Sequence, residues 1–218
     1  MPFKKLMIVF FLAVFLLVFL QIHLFEIAFA KLGLTPEFSL FLLLASLLGS
    51  GVNLPIFSMP AKATGHLVIQ AGGRPVWQIY QPARAGKIVI AVNLGGCVLP
   101  VAMSLYFISL GLLDPFNIVV ILLAITAVSF QFSRLMPGLG VGMPLFLAPV
   151  VSAVLAVLLE PAHAAQLAYV GGVLGVLLGA DLLKLKQVTN LGAPVASIGG
   201  AGTFDGIFLT GIIAALLA

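Results

Sequence analysis

The chain has 218 residues, 62% of them hydrophobic and 7% charged, with a formal net charge of +4. A soluble domain carries roughly 25% charged residues, so this composition excludes one. A single cysteine, Cys97, excludes an internal disulfide framework and a cysteine-based metal cluster.

The apolar runs reach ~20 residues instead of alternating over ~10, which predicts membrane-spanning helices and not a barrel. We read one polytopic domain over 1–218, all-α, with about seven spans at roughly 6–29, 38–58, 88–112, 115–133, 143–159, 165–183 and 198–217. The first run, Met7 to Phe29, follows Lys4-Lys5 and exceeds the ~7–15 residues of a signal core, so it reads as a retained span. Pro149 predicts a kink in the fifth.

The loops set an expected orientation. Lys4, Lys5, Lys62, Arg74, Arg84, Lys87, Arg134, Lys184 and Lys186 fall on one side, and Lys31 alone falls opposite with Glu37, Asp114 and Glu160. The positive-inside rule then predicts a cytoplasmic N-terminus and an outward C-terminus in the inner or plasma membrane. The basic residues are accounted for by orientation, and no nucleic-acid partner is expected.

The cytoplasmic loop 59–87 is the one sizeable piece outside the spans. His66–Gln70 and Val76–Gln81 flank Ala71-Gly72-Gly73-Arg74-Pro75, a turn composition that predicts a β-hairpin. It is either a connector with interfacial Trp77 and Tyr80, or an exposed edge on which those two residues help hold an extended peptide.

Polar residues within spans are few. Val52-Asn53-Leu54 lies in span two and Val92-Asn93-Leu94 in span three. Counting ~1.5 Å per residue from Lys62 and Lys87 puts both asparagines roughly 9–14 Å from the cytoplasmic edge, level with Asp181 and Asp205. They are expected to bond helix to helix within that polar layer. Gly171, Gly172, Gly175 and Gly179 have small-xxx-small spacing and predict close packing of spans six and seven.

Asp181 in span six and Asp205 in span seven, 24 residues apart, are the carboxylates placed within spans and away from the outer loops. An ionisable group at such a position is costly and marks a function by default. Two close carboxyls cannot both ionise, so they share a proton. Such a dyad can activate water and donate a proton, which is peptide hydrolysis without cofactor or metal. Gly199, Gly200, Gly202, Thr203 and Gly206 surround Asp205 and would open the backbone there, which requires protein or a water-filled cavity around it. No His-Glu-x-x-His or other close metal-ligand spacing exists, and His23, His66 and His163 read as interfacial.

Gly-Ala-Asp-Leu-Leu at 179–183 and Gly-Gly-Ala-Gly-Thr-Phe-Asp-Gly-Ile-Phe at 199–208 resemble the two active-site motifs of the GxGD-type intramembrane aspartyl proteases, such as presenilin and signal peptide peptidase. The whole chain also resembles a prokaryotic family of small multi-spanning membrane proteins. The first resemblance implies Asp181 and Asp205 as the catalytic pair on helices 165–183 and 198–217, with transmembrane peptides as substrates. Thr203-Phe204 separates Gly200-Ala201-Gly202 from Asp205, which departs from the strict motif. Two other readings use the same aspartates. In a small proton- or cation-coupled transporter they relay protons or bind a cation. In a non-catalytic scaffold they hydrogen-bond Asn53, Asn93 or Lys184.

Overall fold

The computed structural model describes residues 2–61, 67–71, 74–79, 86–136, 140–189, 194–200 and 206–218. Three helical segments are long and apolar enough to cross a membrane: Phe10–Lys31, Pro115–Phe132 and Pro161–Leu182. The first lies within α1 (Pro2–Lys31), and the second is α4 (Pro115–Phe132). The third joins a 3-10 turn (Pro161–His163), α6 (Ala164–Val176) and a π-helical turn (Leu177–Leu182). Shorter apolar helices are α2 (Pro36–Gly49), α3 (Leu99–Ser109), α5 (Leu147–Leu159) and α8 (Gly206–Leu217), and α7 (Leu185–Val188) is a single turn.

Local chemistry explains several helix starts. Thr35 accepts from the Phe38 amide and precedes Pro36, and Asp114 accepts from the Phe116 amide at 2.7 Å and precedes Pro115. Each pairs a side-chain cap with a proline where no amide partner is needed. Pro149 is the third residue of α5, inside the first turn, where its missing N–H breaks no helical bond. This proline therefore gives no cause for the expected kink within α5.

The fold is not all-α. Residues 53–58 of the expected second span and 88–93 of the expected third form strands, not helix. β1 (Asn53–Ala61) pairs antiparallel with β4 (Gly86–Asn93), which pairs parallel with β7 (Val195–Ile198), giving the order β1-β4-β7. Ile88, Val89, Ile90 and Val92 are β-branched and suit a strand, and Pro55 and Pro60 cannot donate to a helix or a central ladder. Pro55 lies beside a register shift on β1, at the sheet edge. The predicted hairpin forms from β2 (Leu67–Ala71) and β3 (Arg74–Ile79), with Ile69 opposite Trp77. A further small hairpin joins β5 (Arg134–Met136) and β6 (Gly140–Gly142).

α6 is the hub, packed against α3, α4, α5 and α8, with Leu167, Ala168, Val170 and Val173 fully buried. Its glycines divide between two neighbours. Gly171, Gly175 and Gly179 face Ile121, Ile125, Thr126 and Ser129 of α4, while Gly172 faces Thr210 and Ala214 of α8 and Ser152 of α5. Spans six and seven pack closely, as expected, through Gly172, while Gly171, Gly175 and Gly179 seal spans four and six. Contact with α8 uses the adjacent face of α6, where Gly211 of α8 meets Val173 and Tyr169.

Candidate functional site

Three interrupted segments cross at one point. α2 ends at Gly49 and the chain turns into β1; β4 ends at Asn93 and enters a π-helical turn (Leu94–Val98) ahead of α3; β7 ends at Ile198 and is followed by Gly199 on the way to α8. The crossing is glycine against glycine. A Cβ on Gly95 would collide with the Ser46 carbonyl, one on Gly96 with the Gly199 carbonyl, and one on Gly49 would lie 3.0 Å from the Gly95 amide nitrogen. Gly199 and Gly200 have φ of +81° and +88°, which a Cβ disfavours. Backbone therefore touches backbone where the three segments meet.

Asn93, with no exposed surface, ties this crossing together. Its Nδ2 donates to the Ser50 carbonyl at 2.6 Å and to Asn53 Oδ1 at 3.0 Å, and its Oδ1 accepts from the Gly96 amide at 2.7 Å. Ser197 of β7 donates to Asn53 Oδ1 at 2.5 Å, and the Leu94 amide donates to the Val52 carbonyl at 2.9 Å. The two Val-Asn-Leu triplets are thus opposed across an antiparallel pair, Asn53 facing Asn93. Sequence reading placed the asparagines at one depth but missed Ser50 and Ser197. Ser197, two residues before a glycine pair that follows Val-Ala-Ser-Ile, was the available signal.

Asp181 is partly buried within the π-helical turn that ends the third apolar segment. A π turn displaces the helical hydrogen-bond pattern by one residue, seen in the 2.9 Å bond from the Leu183 amide to the Leu178 carbonyl. Gly199 and Gly200 close β7, and Gly206 opens α8. Gly202, Thr203 and Asp205 lie outside the described residues, as does Tyr80; Trp77 is placed by its backbone in β3. Among the described residues, no three of His, Cys, Asp and Glu converge to hold a metal ion.

A second polar region lies beside Asp181. Thr126, Ser129 and Ser133 recur at i, i+3 and i+7 on α4 and at its end, and Thr126 and Ser129 pack against Gly179 of the π turn. Ser129 and Ser133 are 0% and 3% exposed. Lys184, just beyond the apolar segment and 7% exposed, donates to the Ser133 carbonyl and lies 5.1 Å from the Phe130 ring centroid. Burial lowers its proton affinity below that of an ordinary lysine. The lysine caps the carbonyl end of α4, where a cation is favoured. The hydroxyl spacing was visible in the sequence and went unused there.

The family described as "Protein of unknown function (DUF1614)" matches residues 47–217. The chain belongs to this family. The DUF1614 match takes in Gly49, all three strands of the crossing, Asp181 and Asp205, and leaves α1 outside. No curated protein and no solved structure matches the chain.

Proposed function

We propose that this DUF1614 chain is an intramembrane aspartyl protease that uses Asp181 and Asp205 as a proton-sharing dyad. One observation carries the reading. The expected last span, 198–217, is entered from an extended strand, β7, through two left-handed glycines, Gly199 and Gly200, and is helical over Gly206–Leu217. Non-helical backbone a few residues before a carboxylate of an apolar domain gives water a way in, and hydrolysis needs water. The π turn around Asp181 is a similar departure from regular helix, of a kind frequent at functional sites.

In the proposed reaction one ionised carboxylate takes a proton from water as its oxygen attacks the peptide carbonyl carbon. The protonated partner then gives its proton to the leaving nitrogen as the C–N bond breaks, so the dyad ends with one proton, as it began. Substrates are transmembrane peptides held extended, and β7 or the 67–79 hairpin supplies an edge for them. The chain crosses the inner membrane about seven times, with the N-terminus and basic loops cytoplasmic and the C-terminus outside.

A second reading, a proton- or cation-coupled transporter, draws on the crossing of interrupted helices at a polar layer. Labelling of the purified protein by a photoreactive hydroxyl-isostere, which mimics the tetrahedral intermediate, separates the two. Specific labelling that falls at least tenfold in both Asp181→Asn and Asp205→Asn, with melting temperature unchanged, supports the dyad. Absence of labelling in folded wild-type protein overturns it, and proton flux in liposomes then tests transport.

A further inference from the structure

α1 is fixed to the body at one end. Phe25 packs on Phe208 of α8, Ala28, Phe29 and Leu32 are buried, and Lys31 Nζ donates to the Leu216 carbonyl at 2.9 Å. Every residue from Phe10 to Leu24 is exposed. This run lies within Phe10–Lys31, a segment long and apolar enough to cross a membrane. Apolar side chains need no protein partner there, because lipid tails are as apolar as they are. His23 and Glu26 are different. Their side chains are 62% and 56% exposed. His23 lies about 12 Å along the helix from Lys31, well inside the apolar segment. Ionisable groups in spans almost always face protein or a water-filled cavity. His23 Nδ1 is 3.2 Å from Glu26 Oε2, and neither side chain has a further hydrogen-bond partner among the described residues.

We infer that α1 pairs in the membrane with α1 of a second copy of this chain, His23 of each copy donating to Glu26 of the other. A second copy is selected because the pair is complementary to itself. An imidazolium beside a carboxylate is neutral overall and keeps one donor, His23 Nε2–H, and one acceptor, Glu26 Oε1. Copies inserted with the same topology meet about a two-fold axis along the membrane normal, so equal depths face each other. His23 and Glu26 are separated by about 4.5 Å of helical rise, which the two side chains span. Each copy therefore fills the open donor and the open acceptor of the other, and a lipid tail can fill neither. Phe19 and Phe15 continue the same face in steps of four residues. The Phe19 ring stacks 6.2 Å from the His23 ring and 6.5 Å from that of Phe15, which gives an incoming helix an aromatic surface to pack on. Room for it exists beside Glu26, in a groove between α1 and α2 bordered by Ile22, Ser39 and Leu40. The pairing depends on α1 crossing the membrane and not on the hydrolytic reading.

Oxidative cross-linking of the purified full chain in liposomes tests the pairing. Cys97 is buried, and the chain without an added cysteine is the blank. Phe19→Cys is the reporter. Leu17→Cys is the control, because Leu17 is as exposed as Phe19, 60% against 61%, but lies about 160° around the helix. The expected result is a disulfide-linked dimer that forms at least tenfold faster from Phe19→Cys than from Leu17→Cys. Phe15→Cys serves if Phe19→Cys misfolds. Energy transfer between labelled copies, followed as lipid dilutes them, reads the affinity. It should be weaker by roughly fivefold or more in His23→Leu and in Glu26→Leu. The exchanged variant, His23→Glu with Glu26→His, keeps one donor and one acceptor per copy and should restore it. Equal cross-linking from the two faces, or affinity unchanged in both leucine variants, overturns the pairing and leaves His23 and Glu26 reaching along α1 to the membrane surface. Cross-linking reads α1 whether or not the aspartates react. Loss of pairing with intact probe labelling therefore removes the dimer alone, and pairing without labelling removes the protease alone.

Discussion

Two polar regions lie inside this apolar molecule, and they are built in opposite ways. At the strand crossing, Asn93 uses both ends of its side-chain amide and closes a network through Ser50, Asn53, Gly96 and Ser197. In the α4 seam, three hydroxyls stand without protein partners among the described residues, beside a lysine whose proton affinity is depressed by burial. A closed network of this sort fixes a geometry, since both ends of the buried Asn93 amide are committed and a change there leaves buried groups unpaired. An open one commits no donor, so a change there costs little. The difference makes the crossing the rigid element of the molecule, and leaves the seam near the π turn that carries Asp181 the more tolerant one.

The largest effect is expected where the crossing has no room. Gly96→Ala puts a methyl group into the Gly199 carbonyl, and backbone cannot move aside as a side-chain tip can. The loss should exceed roughly 4 kcal/mol and be seen as failure to recover folded protein. Recovery of Gly96→Ala at wild-type melting temperature would break the assignment of this point as a rigid crossing.

Asn93→Ala comes next. It leaves the Gly96 amide, the Ser50 carbonyl and Asn53 without their shared partner, a cost of about 2–4 kcal/mol from several unmade buried bonds. Thermal unfolding in detergent measures it, and a shift no larger than that of Ser129→Ala would erase the contrast between the regions.

Lys184 gives a pH signature. Its folded-state proton affinity is lowered, so between that value and the ordinary lysine value the unfolded chain binds more protons. Stability contributed by this group therefore rises with pH across that alkaline window. The melting temperature of wild type minus that of Lys184→Met should increase from neutral pH toward about pH 10. A flat difference would mean that the ammonium is not desolvated.

The smallest effect belongs to the seam. Ser129→Ala removes a hydroxyl with no protein partner, so stability should change by less than about 0.5 kcal/mol. A loss above ~2 kcal/mol in thermal unfolding would show that the seam is as closed as the crossing.

Much of the architecture was legible because its causes are local. The caps Thr35-Pro36 and Asp114-Pro115, the glycine-centred hairpin and the apolar character follow from neighbouring residues alone. The helix-to-strand switches at Asn53 and Asn93 were not legible. A short apolar run such as Ile88–Val92 reads the same in a buried strand and a buried helix, and β4 becomes a strand only because β1 and β7 lie on either side. The glycines of α6 show the same limit: spacing announces close approaches without assigning them, and Gly172 serves the expected contact with α8 while the other three serve α4.

The sequence by itself determined that this is an apolar, mostly helical chain with segments long enough to span a membrane, and that two aspartates lie among its apolar segments. Those properties depend on composition and on periodicity along the chain, which folding does not alter. Long-range packing alone brings Asn53 to Asn93, interrupts three segments at glycines, and buries Ser129 against a π turn. Each of these is a contact between residues far apart in sequence, and its energy exists only when the partner arrives.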